Sequence, residues 1–291
     1  MPPHAGHQYL IRFAQSFTPG LTVFLCSLAR EPIPGELRFE WMSQLFPGVR
    51  LVHITEEIPQ ASRSQEGAHR IWADSIRSRI DADPRYVFAS ERYGRDLALA
   101  LGAEFVPVDP HREVFPVSAG MIRDDPFAHW RSIPDVVRPY FARKIVVVEP
   151  TGSLAQELAR ARDTVFATDY PAYLASLGVD GPLAESSYEL ARAQAASEEA
   201  LLLQANRVLF SPTDPLRILC GRGVAAADRE PLMASLLAGY PHLAPSLVVA
   251  VEPVPGDYRE AVDAYGWPFA AVRNREAARK RCEAQLGDWL S

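Results

Sequence analysis

The sequence predicts an α/β protein. Three observations carry this. Short apolar or β-branched runs recur along the whole chain, each run is followed by a stretch of helical periodicity, and the alternation restarts midway with a nearly continuous apolar strand. Strands alternating with helices imply parallel sheets joined by right-handed crossovers.

In the first half, Leu21 to Cys26, Arg50 to Ile54, Tyr86 to Ala89 and Glu104 to Val108 read as strands. Pro107 suits an edge or an end of the last of them, because proline cannot donate to a ladder. Between them, Gly35 to Leu45, Ala68 to Ile80 and Tyr93 to Leu101 have helical periodicity. The second half opens with Lys144-Ile145-Val146-Val147-Val148, followed by a helix over Ser153 to Ala161. An alanine-rich helix over Tyr188 to Asn206 is favoured by intrinsic propensity. Arg207 to Phe210 and Ser246 to Val251 are further strands, and Ala277 to Leu290 closes the chain as a helix. The boundary is placed near Arg138 to Arg143, giving domains 1–141 and 142–291.

Composition excludes several classes. Nearly half of the 291 residues are apolar, enough for buried cores, and the net charge is -6. That charge argues against a nucleic-acid surface, which needs a basic patch. The apolar runs are too short to cross a bilayer, and no charged-then-apolar leader pattern opens the chain. The three cysteines, Cys26, Cys220 and Cys282, form no CxxC pair. Neither a zinc site nor a disulfide framework is indicated, and reduced thiols in a cytoplasmic protein are expected. Self-association is left open.

The stretch His4-Ala5-Gly6-His7 precedes a helix-compatible run, Gln8 to Ala14. Glycine admits close approach of a ligand to the backbone. A helix N-terminus offers free N–H groups and the positive end of a dipole to a phosphate. Two imidazoles three positions apart can face one anion and stabilise charge developing on an α-phosphate under attack. A frayed terminus with two solvated histidines fits the tetrad equally well, and a metal site lacks a third ligand nearby. A second element is Pro116 to Arg123: Ser118 is a candidate N-cap, and Arg123 can make charge-assisted bonds to a phosphate. A capped surface helix with a solvated arginine is its plainer reading.

Pro2-Pro3-His4-Ala5-Gly6-His7-Gln8-Tyr9-Leu10-Ile11 resembles the HxGH signature of nucleotidyltransferases in the form used by NadR-type proteins. Arg30 to Arg38, Trp41, Phe46 to Arg50, Val52-His53, Ser90 to Gly94, Val108-Asp109-Pro110, Ile122 to Trp130 and Val137 to Phe141 continue the match in order. The family combines a nicotinamide-mononucleotide (NMN) adenylyltransferase domain with a ribosylnicotinamide kinase domain. The resemblance therefore implies a Rossmann-like nucleotidyltransferase domain followed by a P-loop-kinase-like α/β domain. It implies that ATP and NMN yield NAD and pyrophosphate with Mg2+. His4, His7 and Arg123 would be catalytic, Gly6, Ser118 and Arg123 would bind ATP, and Trp72 would stack on the nicotinamide of NMN.

The sequence departs from this family in three places. Family members carry a strand and a glycine turn before the tetrad, whereas this sequence starts at Met1-Pro2-Pro3. An omitted gene start would explain that, and a genuine loss would weaken catalysis. Nothing precedes the tetrad that would repress DNA, so no such role is expected. Gly120 stands where many nucleotidyltransferases have threonine. Most serious, Glu149 to Ala155 replaces the GxxxxGK[ST] loop of the kinase and contains no lysine, so kinase activity is expected to be lost. The lysines of the chain are Lys144 and Lys280. A non-catalytic pyridine-nucleotide binding or regulatory protein is the alternative reading.

Overall fold

The computed structural model describes residues 1–56 and 68–290. It divides into two compact units, Met1–Val137 and Arg138–Ser291, both α/β. No helix among the described residues is long and apolar enough to cross a membrane.

In the first unit the chain runs α1 (Ala5–Phe17), β1 (Thr22–Cys26), α2 (Gly35–Leu45), β2 (Arg50–Ile54), α3 (Ala68–Arg77), β3 (Tyr86–Ala89), α4 (Tyr93–Leu101), β4 (Glu104–Pro107) and α5 (Ala119–Asp124), with a 3₁₀ turn at Trp130–Ser132. β1 pairs in parallel with β2, and β3 pairs in parallel with β4. Each pair is a two-stranded sheet of its own. Pro107 ends β4 in register with Ala89, where a missing N–H costs the ladder least. Side chains alternate across a strand. Val23 and Leu25 therefore join Ile11, Met42 and Phe46 on one face. Phe24 turns to the other, with Ala73, Ile76, Val87 and Leu101.

One glycine is required for this packing. A Cβ at Gly94, in the first turn of α4, would lie 2.6 Å from Ala89 Cβ and 2.8 Å from the Phe105 ring. Gly94→Ala is expected to cost about 1–3 kcal/mol through overpacking, read as a lower urea midpoint with an unchanged m-value. Wild-type stability in that variant would contradict the packing described.

The second unit contains α6 (Arg138–Phe141), β5 (Arg143–Val148), α7 (Ser153–Ala161), α8 (Tyr170–Ser176), α9 (Pro182–Glu185), α10 (Ser187–Leu202), β6 (Val208–Ser211), α11 (Pro215–Gly221), α12 (Ala226–Gly239), β7 (Leu247–Val251), α13 (Gly256–Ala264), β8 (Phe269–Val272) and α14 (Arg275–Leu290). The sheet is fully parallel in the order β6-β5-β7-β8. β5 is apolar on both faces because helices cover both, as parallel sheets require. Ile145 and Val147 pack with Leu154, Leu158, Cys282 and Leu286 of α7 and α14. Val146 and Val148 pack with Leu190, Leu216, Met233 and Tyr258 on the opposite face.

Candidate active site

The tetrad is an ordered helix start. His4 is the N-cap of α1, in extended conformation, and its Nδ1 accepts the Gly6 N–H at 3.1 Å. It is buried, at 7% exposure. His7 lies one turn on, with its ring centroid 3.9 Å from that of His4. His7 Nδ1 is buried and has no hydrogen-bond partner among the described residues. Gly6 makes room for this arrangement, since a Cβ there would stand 3.0 Å from the His4 ring. In this state its N–H serves the cap.

Burial dominates the electrostatics. It lowers His4 to about 4 and His7 to about 3, with the neighbouring imidazole adding to the effect on His7 and Arg112 adding to both. Both rings are therefore neutral at pH 7 and can act as hydrogen-bond donors or acceptors without carrying charge of their own.

Folded-state values below the unfolded value of 6.5 mean that the unfolded chain takes up protons first on acidification. Stability is thus full above about pH 6.5 and falls as pH drops towards the folded values. The loss is at most on the order of 1.4 kcal/mol per pH unit for each imidazole. Urea unfolding at pH 7 and pH 5 should show this loss in the wild type and a smaller one in a His4→Gln/His7→Gln variant. Equal losses in the two proteins would contradict the assignment.

The second predicted element sits against the start of α1. Tyr9 contacts the Phe115 ring at a centroid distance of 5.4 Å, which brings the segment leading to Ser118 alongside the tetrad. Ser118 caps α5, its Oγ accepting the Met121 N–H at 3.2 Å. Arg123 lies in the last turn of α5 and is exposed. At Gly120 a Cβ would meet only Ser118 Oγ at 3.6 Å and Arg123 at 3.9 Å, ordinary contacts, so a larger residue would fit. Trp72 lies on α3, half-buried, beside Ala73 of the core.

Three residues that the motif reading did not single out shape this region. Asp109 holds the turn after β4: its carboxylate accepts the N–H groups of Glu113 at 2.8 Å, Val114 at 3.2 Å and Phe115 at 3.1 Å. Desolvation would raise its pKa, but these N–H bonds and Arg112 keep it below the usual carboxylate range. Arg112, ion-paired to Glu91 at 2.6 Å, is the cation whose field reaches both histidines. Arg38, at 2% exposure, is ion-paired to Glu31, which also accepts the Leu28 N–H at 3.3 Å. The sequence signal for Asp109 and Arg38 was their place in the family-like segments. Arg112 had none, since only the fold of the turn aims it.

In the second unit the turn Glu149 to Gly152 joins β5 to α7. Glu149 follows β5 directly, and Gly152 takes the left-handed conformation at φ +66° before the helix starts. Lys144 cannot reach this turn. Its Nζ is buried in an ion pair with Glu198 at 2.7 Å and a bond to the Leu243 carbonyl. Asp214 is buried as the N-cap of α11, accepting the Arg217 N–H at 2.8 Å and the Tyr258 hydroxyl.

No family model matches the chain. Curated proteins do match it. It is 28% identical over 238 residues to the trifunctional NAD biosynthesis/regulator protein NadR of Salmonella typhimurium, covering 73% of this chain and 58% of that protein. The NadR of Escherichia coli is 28% identical over 239 residues with the same coverage. Among solved structures, a NadR protein in complex with NAD and AMP-PNP superposes with a TM-score of 0.73 over 99% of this chain and 93% of its own, at 16% identity. A NadR protein in complex with NR matches equally well. The chain is similar to NadR proteins. Its α/β fold is similar to that of the NadR structures, and the chain spans 58% of the length of the curated relatives it matches.

Proposed function

We propose that the first unit is an NMN adenylyltransferase that makes NAD and pyrophosphate from ATP and NMN, and that the second unit has lost ribosylnicotinamide kinase chemistry. The observation that carries the first part is the capped His4–His7 pair at the start of α1, with Arg112 near it and the Ser118–Arg123 element on the adjoining segment. In this reading the 5′-phosphate of NMN attacks the α-phosphorus of ATP, the bond to the β-phosphate oxygen breaks, and pyrophosphate leaves. His7 donates a hydrogen bond to the charge developing on the α-phosphate, and Arg123 and Arg112 hold the departing phosphates. Binding a polyanion beside the rings raises their affinity for a proton, so ATP binding itself prepares them as donors. Mg2+ would be carried by the phosphates of ATP. Among the described residues no group of three or more His, Cys, Asp or Glu side chains forms a cation cage, and no step is assigned to the metal. Trp72 is the proposed stacking partner of the nicotinamide.

A non-catalytic pyridine-nucleotide binding protein is the second reading. It is favoured by the engagement of the Gly6 N–H within the cap and by the two separate two-stranded sheets of the first unit. The assay that separates the two supplies ATP, Mg2+ and NMN and follows NAD beside a His7→Ala control. NAD above that control supports the enzyme, and none above it overturns it. Ribosylnicotinamide with ATP should yield no phosphorylated product, and turnover there would refute the loss of the kinase.

A further inference from the structure

The turn between β5 and α7 is held by a carboxylate in the position an anion would take. The Glu149 side chain is 1% exposed. It accepts the Thr151 N–H at 2.9 Å, the Leu154 N–H at 3.0 Å and the Thr151 hydroxyl at 2.8 Å. Thr151 Oγ1 is 2.9 Å from Ser153 Oγ, which in turn accepts from Arg275 at 3.0 Å. Arg275 Nε, buried and without a hydrogen-bond partner among the described residues, faces the carboxylate at 4.0 Å. Leu154 is the second residue of α7, so one of these donors is a free amide of the first helical turn. Backbone N–H groups, hydroxyls, a guanidinium and the positive end of a helix dipole are the donor set that phosphate oxygens use. Here a side chain of the same chain takes the two amides and the Thr151 hydroxyl, while the Arg275 guanidinium donates to Ser153 Oγ and is ion-paired to Glu157.

We propose that Glu149 is a built-in anion that fills this seat and closes the second unit to phosphate groups. The inference rests on the reading that this unit has no kinase activity, and it supplies a physical cause beyond the missing lysine. A phosphate would have to displace a buried carboxylate that already satisfies the Thr151 and Leu154 amides and the Thr151 hydroxyl. It would also meet that carboxylate's charge at contact distance, where like charges strongly disfavour each other. The net lowering of the Glu149 pKa agrees: burial opposes ionisation, and the Leu154 and Thr151 bonds and Arg275 outweigh it.

The test uses the full chain and inorganic phosphate as the probe, with amide hydrogen exchange at Thr151 and Leu154 as a local readout insensitive to phosphate bound in the first unit. In the wild type these amides should be protected, and millimolar phosphate should not change them. In Glu149→Ala the protection should fall at least tenfold, and phosphate should restore it saturably. If phosphate alters wild-type exchange there, or if Glu149→Ala stays blind to it, the proposal is overturned. Should Glu149→Ala fail to fold, Glu149→Gln keeps the shape and removes the charge. Protection in that variant should drop about tenfold, and unchanged protection would overturn the proposal. Phosphorylation of ribosylnicotinamide by the wild type would instead remove the reading beneath it, whereas a silent kinase assay with an unresponsive Glu149→Ala sinks only the plug.

Discussion

Lys144→Ala should destabilise the second unit by about 3–5 kcal/mol, the cost typical of breaking a buried ion pair from one side. Both partners are almost wholly inside, at 3% and 2% side-chain exposure, 2.7 Å apart. Glu198 is also the hub of a polar network: Oε1 accepts from Gln194 at 2.9 Å and from Ser211 at 2.9 Å, and Gln194 accepts the Tyr170 N–H at 3.0 Å. Removing Lys144 leaves a buried carboxylate uncompensated and releases the Leu243 carbonyl to which Nζ donates. Relocation of the second-unit transition in a urea titration measures the loss. A Lys144→Met/Glu198→Gln variant should recover most of it, because the neutral amide keeps an acceptor for Ser211 and no charge is stranded. A loss under about 1 kcal/mol in Lys144→Ala would show that water or a rearranged partner already serves Glu198, contrary to the burial seen here.

The second large effect is catalytic and belongs to the proposed adenylyl transfer. His7→Ala should lower kcat for NAD formation by roughly 10²–10³ while leaving the KM for ATP within a few-fold, since a donor aimed at developing charge contributes in the transition state. Arg123→Ala should act mainly on ATP binding. A charge-assisted hydrogen bond is worth about 1.5–3 kcal/mol, so the KM for ATP should rise by roughly ten-fold to a hundred-fold. Exposure of Arg123 makes that variant safe for folding. His7 borders the core through its buried Nδ1, so an unfolding control must accompany His7→Ala. Reversed signatures, with His7 moving only KM and Arg123 only kcat, would contradict the assigned roles.

Much of the architecture was legible because both units obey periodicity. The apolar runs Leu21 to Cys26, Tyr86 to Ala89 and Lys144 to Val148 hold the strands Thr22–Cys26, Tyr86–Ala89 and Arg143–Val148, and Gly35–Leu45, Tyr93–Leu101 and Ser153–Ala161 are helices with the bounds their patterns suggest. The helices α8, α9, α11, α12 and α13 were not read from the sequence, and three other differences have local causes. β8 (Phe269–Val272) follows Trp267-Pro268 and is short, and its alanines carry little strand signal. The alanine-rich helix starts at Ser187, capped by Ser186 Oγ, and ends at Leu202, short of Asn206. Asn206 instead donates to the carbonyl of Asp163 at 3.2 Å and leads into β6. The helix expected to reach Ile80 ends at Arg77, and Arg79 turns back to Ser75 and Glu56.

The candidate site was half legible. A motif can say that His4 and His7 share a helix start, but not that His4 spends its Nδ1 on the cap or that burial holds both rings neutral. Arg112 and Asp109 lie in a turn where both take positive φ, at 55° and 48°, and no residue pattern announces such a turn. Glu149 was visible as an acidic residue hostile to phosphate. That it folds back onto the amides of its own loop depends on the turn through Gly152.

Adenylyl transfer at the His4–His7 site can be followed by positional labelling. The full chain should be mixed with ATP labelled at the α-phosphorus, Mg2+ and NMN, and the products separated. The label should appear in NAD, with an equal amount of unlabelled pyrophosphate released. Retention of the label in ATP and its hydrolysis products, with no labelled NAD even though NMN and ATP bind, would contradict it.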